Sequence, residues 1–397
     1  MFTTIDLFSG AGGVSQALKK HFKIICAVEY DKIIASTYAL NHGSDHLLIK
    51  DIKKIKKKYW NNLKKKKLDK QELDLLVATP PCQGFSRHSR KKSDINSDER
   101  NKLIFQVIKI SNIFEPKLVL LENVDNIINF KVFKSFLKLL SNIDMNGNKL
   151  YKNKPSYHIR YEVVDAVDFG VPQHRKRLIL IAKKIDSFPN VDAFISINQK
   201  GKLQSVKPHE IWPNKTIALT LGDYLKQYNL APLRAGEQDP EDKLHRCRNL
   251  SELNLIRIRN TPKNGGSRSD WPENQNLELD CHKKSNINFG DVYGRMDFRE
   301  YAPTITCGCL AYTKGRFGHP EEDRAISIRE AALIQTFPKD YKFTGKISGI
   351  SCEGSSENIA TQIGNAVPVI LAENFITRIH EELTSTSNRS INNFVYG

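Results

Sequence analysis

The chain has no CxxC pair. Its seven cysteines form an odd, scattered set in 397 residues, which excludes a disulfide framework and fits a reducing compartment. Cys247, Cys281, His282, Cys307 and Cys309 are the candidates for a zinc site, but their spacings are irregular and no metal is assigned. No uninterrupted apolar stretch is long enough to span a bilayer. No cationic-then-apolar leader opens the chain, because Met1–Asp6 runs straight into a motif. A soluble cytoplasmic protein without a membrane partner is expected. Internal repeats are absent as well. Acidic residues are in short supply: 44 Asp+Glu stand against 61 Lys+Arg, a net charge of +17. That imbalance points to a polyanion such as nucleic acid. It does so only moderately, since Lys, Asn and Ile are abundant throughout, as an AT-rich genome would produce. The runs Lys53–Lys58 and Lys64–Lys67 read as a solvated helical face.

What is present is an alternation of strands and helices through the first half. Thr3–Phe8, Lys23–Val28, Leu73–Ala78, Lys117–Leu121 and Leu178–Ala182 are apolar, β-rich runs with helical patterns between several of them. The expected fold is α/β, a doubly wound, mostly parallel sheet covered on both faces. From Asp186 to Phe298 the periodicity fades and Gly, Pro, Asn, Arg and Trp are scattered, as in a loop-rich second lobe. The expected boundaries are 1–185 for a first domain and 186–298 for a smaller, loop-rich one. Residues 299–350 would complete the small domain, and 351–397 would return to the first. A short helix is expected over Ser327–Phe337. Gly364–Pro368 would open a last helix, and the tail from Thr384 would fray.

The most informative segment is Thr79-Pro80-Pro81-Cys82-Gln83-Gly84-Phe85-Ser86, directly after an apolar strand. Two prolines fix the backbone entering Cys82, and Gly84 lets the chain turn away. A thiol held in a fixed direction suits a nucleophile. Asp6-Leu7-Phe8-Ser9-Gly10-Ala11-Gly12-Gly13 is a glycine turn before a helix, a place where backbone approaches a ligand closely. It is not the dinucleotide fingerprint, because Ser15 stands where the third glycine belongs. Glu29 closes the second strand, where a ribose partner sits in doubly wound sheets, and Asp51 follows the next apolar run. Glu122 follows Lys117–Leu121, so Cys82 and Glu122 both lie at carboxyl ends of strands and can meet. A thiolate beside a carboxyl suits addition to an electron-poor ring whose nitrogen the acid protonates. Arg175 and Arg177 alternate in an extended segment and would face one side, able to hold carbonyl or phosphate oxygens.

Together the blocks Asp6–Gly13, Thr79–Ser86, Glu122–Val124, Gln173–Arg177, Arg329–Pro338 and Gly364–Pro368 resemble, in order, the C5-cytosine DNA methyltransferase family of bacterial restriction–modification type. The resemblance implies S-adenosylmethionine as cofactor and transfer of its methyl to C5 of a flipped-out cytosine in a short duplex DNA sequence. Cys82 would attack C6, Glu122 would bond N3 and the exocyclic amine, Arg177 would reach O2, and Arg175 would support the site. Phe8 would stack near the adenine, and Gly10 and Gly12 would admit the methionine portion. Glu29 would hold the ribose, Asp51 the adenine amino group, and Asn365 the methionine end. Asp6, Ser9, Gly13, Pro80 and Val367 complete the expected cofactor set. Ser86 and Arg87 would lie near the flipped nucleotide's backbone, with Lys263 on a phosphate and Arg268 on a base. A monomer acting at the nucleoid is expected, with a restriction endonuclease as functional partner without stable binding.

Other readings are weaker. Transfer-RNA methylation by a relative of this family is the alternative within the same chemistry. The long, Arg-containing variable region favours duplex DNA over it. An NAD-dependent oxidoreductase lacks the full glycine fingerprint. A cysteine hydrolase built on Cys82 and His88 lacks an evident oxyanion hole. Intact Cys82, Glu122 and Arg177 disfavour a catalytically dead binding module.

Overall fold

The structure is a computed structural model. It describes residues 1–81, 99–144, 148–185, 196–197, 203–204, 209–280 and 290–395. The chain begins β1 (Phe2–Leu7), α1 (Gly13–Leu18), β2 (Phe22–Glu29), α2 (Lys32–His42), β3 (Leu47–Ile49), α3 (Lys57–Leu68) and β4 (Leu75–Ala78). It continues α4 (Phe105–Phe114), β5 (Leu118–Val124), α5 (Lys131–Ser141), β6 (Ser156–Asp165) and β7 (Lys176–Ile185). The seven strands form one sheet in the order β3-β2-β1-β4-β5-β7-β6. The five strands from β3 to β5 pair in parallel. β7 runs antiparallel to both β5 and β6.

The mostly parallel doubly wound sheet is therefore as expected, with two differences. The apolar run at Leu178–Ala182 belongs to an antiparallel strand. β6 gave no sequence signal because its Ser-Tyr-His-Ile-Arg-Tyr-Glu-Val-Val-Asp mixes buried, half-buried and exposed positions at the sheet edge without a continuous apolar run. Only a strand buried on both faces reads as a continuous apolar run.

Side chains alternate between the two faces with the strand period of two. Leu75, Val77, Leu118, Leu120, Ile179 and Ile181 enter one core, with Val14 and Leu18 of α1. Leu76, Ala78, Val119, Leu121, Leu178 and Leu180 enter the other, with Trp60 of α3, Phe114 of α4 and Phe136 of α5.

The second half adds α6 (Leu221–Lys226), α7 (Glu252–Arg259), α8 (Ile328–Ile334), α9 (Ser356–Asn365) and α10 (Val369–Val395). Leu221, Leu244, Ile305, Phe317 and the apolar face of α8 join the first core. Tyr341 donates to the Ala11 carbonyl at 2.6 Å, and Asn41 bonds Lys342. Packing thus runs across the expected boundary at 185, and residues 341–344, expected in the small domain, dock on α2 and on the turn before α1. A smaller cluster holds Ile258, Trp271, Leu277, Tyr293, Tyr312 and Ala325.

Two expectations for the C-terminus are corrected. Gly364 and Asn365 end α9 rather than open α10, and Pro368 precedes the first residue of α10. Proline suits that place, where a missing N–H costs nothing. The tail does not fray at Thr384, because α10 continues to Val395. The helical stretch Ser356–Thr386 is apolar and long enough to cross a bilayer, yet 67% of its most apolar window is buried, as for a core helix.

Candidate active site

The carboxyl ends of β1, β2, β3, β4 and β5 and the start of antiparallel β7 meet at one edge of the sheet. Ligand sites of open parallel sheets form there, where no helix covers the strand ends. A cavity of about 370 Å³ opens at this edge. Its walls include Phe8, Ser9, Gly10, Gly13, Glu29, Asp51, Pro80, Glu122, Arg175, Arg177, Asn365 and Val367. Twelve expected residues, scattered through the chain, are thus brought together.

The turn after β1 is strained. Phe8 has φ +62°, costly for an aromatic residue, and its carbonyl accepts from the Thr79 hydroxyl at 2.9 Å. Gly10, at φ +57°, donates its N–H to Glu29 Oε2 at 3.0 Å. Oε1 of Glu29 accepts from the N–H groups of Tyr30 and Asp31, both at 2.8 Å. Burial raises the Glu29 pKa, and these three N–H groups oppose the rise. A carboxylate oxygen keeps a further lone pair after one bond, so Glu29 can still accept from a ligand. Asp51 caps the short turn Ile52–Lys54 by accepting from Lys53 N–H at 2.9 Å.

Two expected cofactor residues lie elsewhere. Asp6 is fully buried beneath the turn, where Ser15 donates to its Oδ2 at 2.6 Å, and it does not line the cavity. Burial is the main reason its pKa rises from 3.8 to about 7, with Glu29 adding to the rise. Gly12, at φ +93°, is also off the wall. A Cβ there would lie 2.5 Å from His42 Nε2 and 2.7 Å from the Tyr341 hydroxyl. Its glycine is required by the packing of α2 and Tyr341.

At the other end of the cavity, Arg177 Nε lies 3.0 Å from Glu122 Oε1. The register explains the meeting: Val124 pairs with Arg177 and Glu122 with Ile179, so the two side chains are diagonal neighbours. Burial raises the Glu122 pKa despite the opposing charges of Arg177 and Arg175. Arg175 lines the cavity but points its guanidinium into the protein. It donates to the carbonyls of Ile305 at 2.7 Å, Gly364 at 2.7 Å and Ala366 at 3.0 Å. It therefore ties the α9–α10 turn, and with it Asn365 and Val367, to the start of β7.

Cys82, Ser86 and Arg87 lie outside the described residues. The turn that leads to Cys82 is described. Asn123 donates to the Pro80 carbonyl at 3.0 Å, and Thr79 N–H donates to Leu7 O at 3.2 Å. Nothing in the local pattern around Asn123 announces that bond. Gln362, another cavity residue, had no sequence signal at all. Its amide nitrogen donates to the Thr344 carbonyl at 2.8 Å, and its buried Oε1 has no partner among the described residues.

Two residues expected on DNA sit in the second lobe. Lys263 is exposed beside the Asn264–Gly265 turn. Arg268 is turned inward: its side chain is 13% exposed, with Nη1 3.6 Å from Glu278. A base-reading role would need this side chain to swing free into a groove. Among the described residues no group of His, Cys, Asp and Glu is arranged to hold a metal.

The cavity suits S-adenosylmethionine. Ser9 Oγ and Gln362 Oε1 are buried on its wall without partners among the described residues, and such orphans are rare unless a ligand or water completes them. Phe8, Val28, Ile34 and Ile52 supply an apolar cradle.

A family model for C-5 cytosine-specific DNA methylase matches residues 2–381. The chain belongs to the C-5 cytosine-specific DNA methylases. It is a methyltransferase whose cofactor is S-adenosylmethionine and whose substrate is DNA. Type II methylase M.HgiDII of Herpetosiphon aurantiacus is 32% identical, over 95% of this chain and 96% of the relative. Type II methyltransferase M1.BsuMI of Bacillus subtilis is 30% identical, over 95% and 79%. Among solved structures, a DNA modification methyltransferase encoded in an E. coli prophage superposes with a TM-score of 0.63 at 20% identity, covering 97% of this chain and all of that one. Spodoptera frugiperda DNMT2 superposes with a TM-score of 0.58 at 17% identity, covering 96% and 99%. These two likenesses bear on the fold of this methylase alone.

Proposed function

We propose that this methylase modifies one short duplex DNA sequence, as the protective partner of a restriction endonuclease, through a thiolate addition by Cys82. The carrying observation is the Glu122–Arg177 pair, which faces the same cavity as the glycine turn and the Pro80–Pro81 corner that delivers Cys82.

C5 of cytosine is a poor nucleophile. Attack of the Cys82 thiolate on C6 forms an S–C6 bond and pushes the ring electrons toward N3. Glu122, with its raised pKa, donates a proton or hydrogen bond at N3, leaving C5 enamine-like. Arg177 holds the base O2 and keeps Glu122 aimed. Arg175 acts through the backbone it clamps. S-adenosylmethionine supplies, when bound, an activated methyl to C5. Loss of the C5 proton to water then restores the double bond and expels Cys82. In this reading Phe8 would lie against the adenine, Asp51 on its amino group, Glu29 on the ribose, and Gly10, Asn365 and Val367 at the methionine end; that all six line the cavity supports it. A stacked base cannot reach this cavity, so the cytosine must be flipped out. Ser86 and Arg87 would hold its backbone, and Lys263 a neighbouring phosphate.

Residues 186–298 are assigned sequence recognition, and a monomer at the nucleoid fits the reading. The test is methyl transfer from labelled S-adenosylmethionine to unmethylated duplex DNA with base-resolution mapping. 5-Methylcytosine in one recurring sequence, lost in Cys82→Ser while calorimetric cofactor affinity stays within about twofold, is expected. Transfer to RNA alone would overturn the DNA reading.

A further inference from the structure

The lysine runs at α3 lie on a solvated helical face, as composition implied, and their arrangement there is specific. Residues 50–70 hold eleven lysines and two aspartates, a net +9 of the chain's +17. Lys117, Lys183 and Lys215, elsewhere in the chain, sit in ion pairs. None of the eleven makes an ion pair among the described residues.

Their placement opposes the helix that carries them. Lys56 is the N-cap of α3 without a side-chain cap, Lys57 and Lys58 follow, and the first turn holds no acid. Positive charge at a helix N-terminus works against the helix dipole. Like charges one turn apart, as at Lys64 and Lys67, also repel. The helix is held instead by its inner side. Trp60 is fully buried and meets the Phe114 ring edge-on at 6.0 Å, and Leu68 is buried. Helical spacing then presents Lys58, Asn61, Asn62, Lys65 and Lys66 as one exposed stripe on a rigid platform. Cations interleaved with amide donors, without acids, complement a row of phosphates. A twelve-residue helix is about 18 Å long, which spans roughly five phosphates of one strand.

We propose that the Lys/Asn stripe of α3 is a second docking surface for the phosphates of duplex DNA, outside the catalytic cavity. It rests on the reading that duplex DNA is the substrate. Lys53 reaches the cavity wall, but the stripe leads away from it along α3. The surface therefore adds sequence-independent affinity and keeps the enzyme on long DNA between targets. Binding to phosphates in this way carries no sequence information.

The experiment uses the full chain with Lys57, Lys58, Lys65 and Lys66 all replaced by Gln, and a second version with all four replaced by Arg. Affinity for a long duplex is measured against salt, and methyl transfer is measured on a short duplex that fills only the catalytic cleft. Each phosphate left without its cation lowers the slope of log affinity against log salt by about 0.9. The Gln version should lose roughly 2 to 4 from that slope, keep short-duplex turnover and melt no lower than the parent. The Arg version should keep the slope. An unchanged slope in the Gln version would overturn the proposal. So would loss of binding to anionic vesicles with DNA binding intact, which would assign the stripe to a lipid surface. Failure of the parent to methylate any duplex counts against the proposed function and leaves the slope comparison readable.

Discussion

Glu122 shows how one position acquires its chemistry. A carboxyl group at a strand end is ordinarily ionised near neutral pH. Burial raises its pKa even with Arg177 and Arg175 nearby, which favours the protonated, donating form. Glu122→Gln should therefore lower turnover by about 10²- to 10³-fold with calorimetric cofactor affinity little changed. In the parent, turnover should fall as pH rises through the raised pKa of Glu122. A pH profile of single-turnover rates that lacks this fall would refute the role. Asp6 gives a second residue-scale case. Its folded pKa is about 7 against 3.8, so its proton is bound more tightly in the native state. That contribution is fully present below about pH 3.8 and is lost as pH rises through about 7. Asp6→Asn removes this dependence. Its stability relative to the parent should rise across that window, by up to roughly 4 kcal/mol, in denaturant melts at several pH values.

At the scale of elements, the strand-end turns depend on particular glycines and pairs. Gly364 packs so closely on the 306–307 backbone that a Cβ would come within 2.3 Å of Thr306 C and 2.4 Å of Cys307 N. Gly364→Ala should displace the α9–α10 turn and weaken cofactor binding by about tenfold or more, read by calorimetry. α8 is fixed by a capping box between Ser327 and Glu330 and by the buried pair of Glu330 with Arg324, whose two nitrogens lie 2.7 and 2.8 Å from its oxygens. Arg324 holds the Glu330 carboxyl far below the usual range against the cost of burial. This pair stabilises the fold above about pH 4.5 and is lost as acid protonates it. Glu330→Gln removes one of the two carboxylates paired with buried Arg324, leaving Glu322 at 2.8 Å from its Nε, and should cost up to about 3 kcal/mol in unfolding.

For the whole molecule, two cores lie on opposite faces of the sheet, and the first continues from it through side chains between residues 211 and 383. Exchanging residues 186–298 for those of a relative should move methylation to a new sequence with the chemistry retained. A folded, active hybrid that keeps the original target would refute the recognition assignment. The exchange must keep Leu221, Leu225 and Leu244, because these side chains complete the core under α8.

The sequence by itself determined the parallel half of the sheet, because strands buried on both faces announce themselves as apolar runs. It also indicated which blocks meet at the strand ends, since Phe8, Glu29, Asp51, Pro80 and Glu122 each close such a run or follow it within two residues. Only the tertiary structure decided the roles of neighbouring residues within those blocks. Gly12 and Asp6 sit in the same turn as Gly10 and Ser9, yet pack against His42 and Ser15 instead of the cavity. Arg175 and Arg177 alternate in sequence, yet one clamps three carbonyls and the other meets Glu122. Edge strand β6, the inward turn of Arg268 and the orphaned oxygen of Gln362 were illegible for one physical reason. Each depends on neighbours far apart in the chain, and local periodicity carries no record of a partner that arrives only on folding.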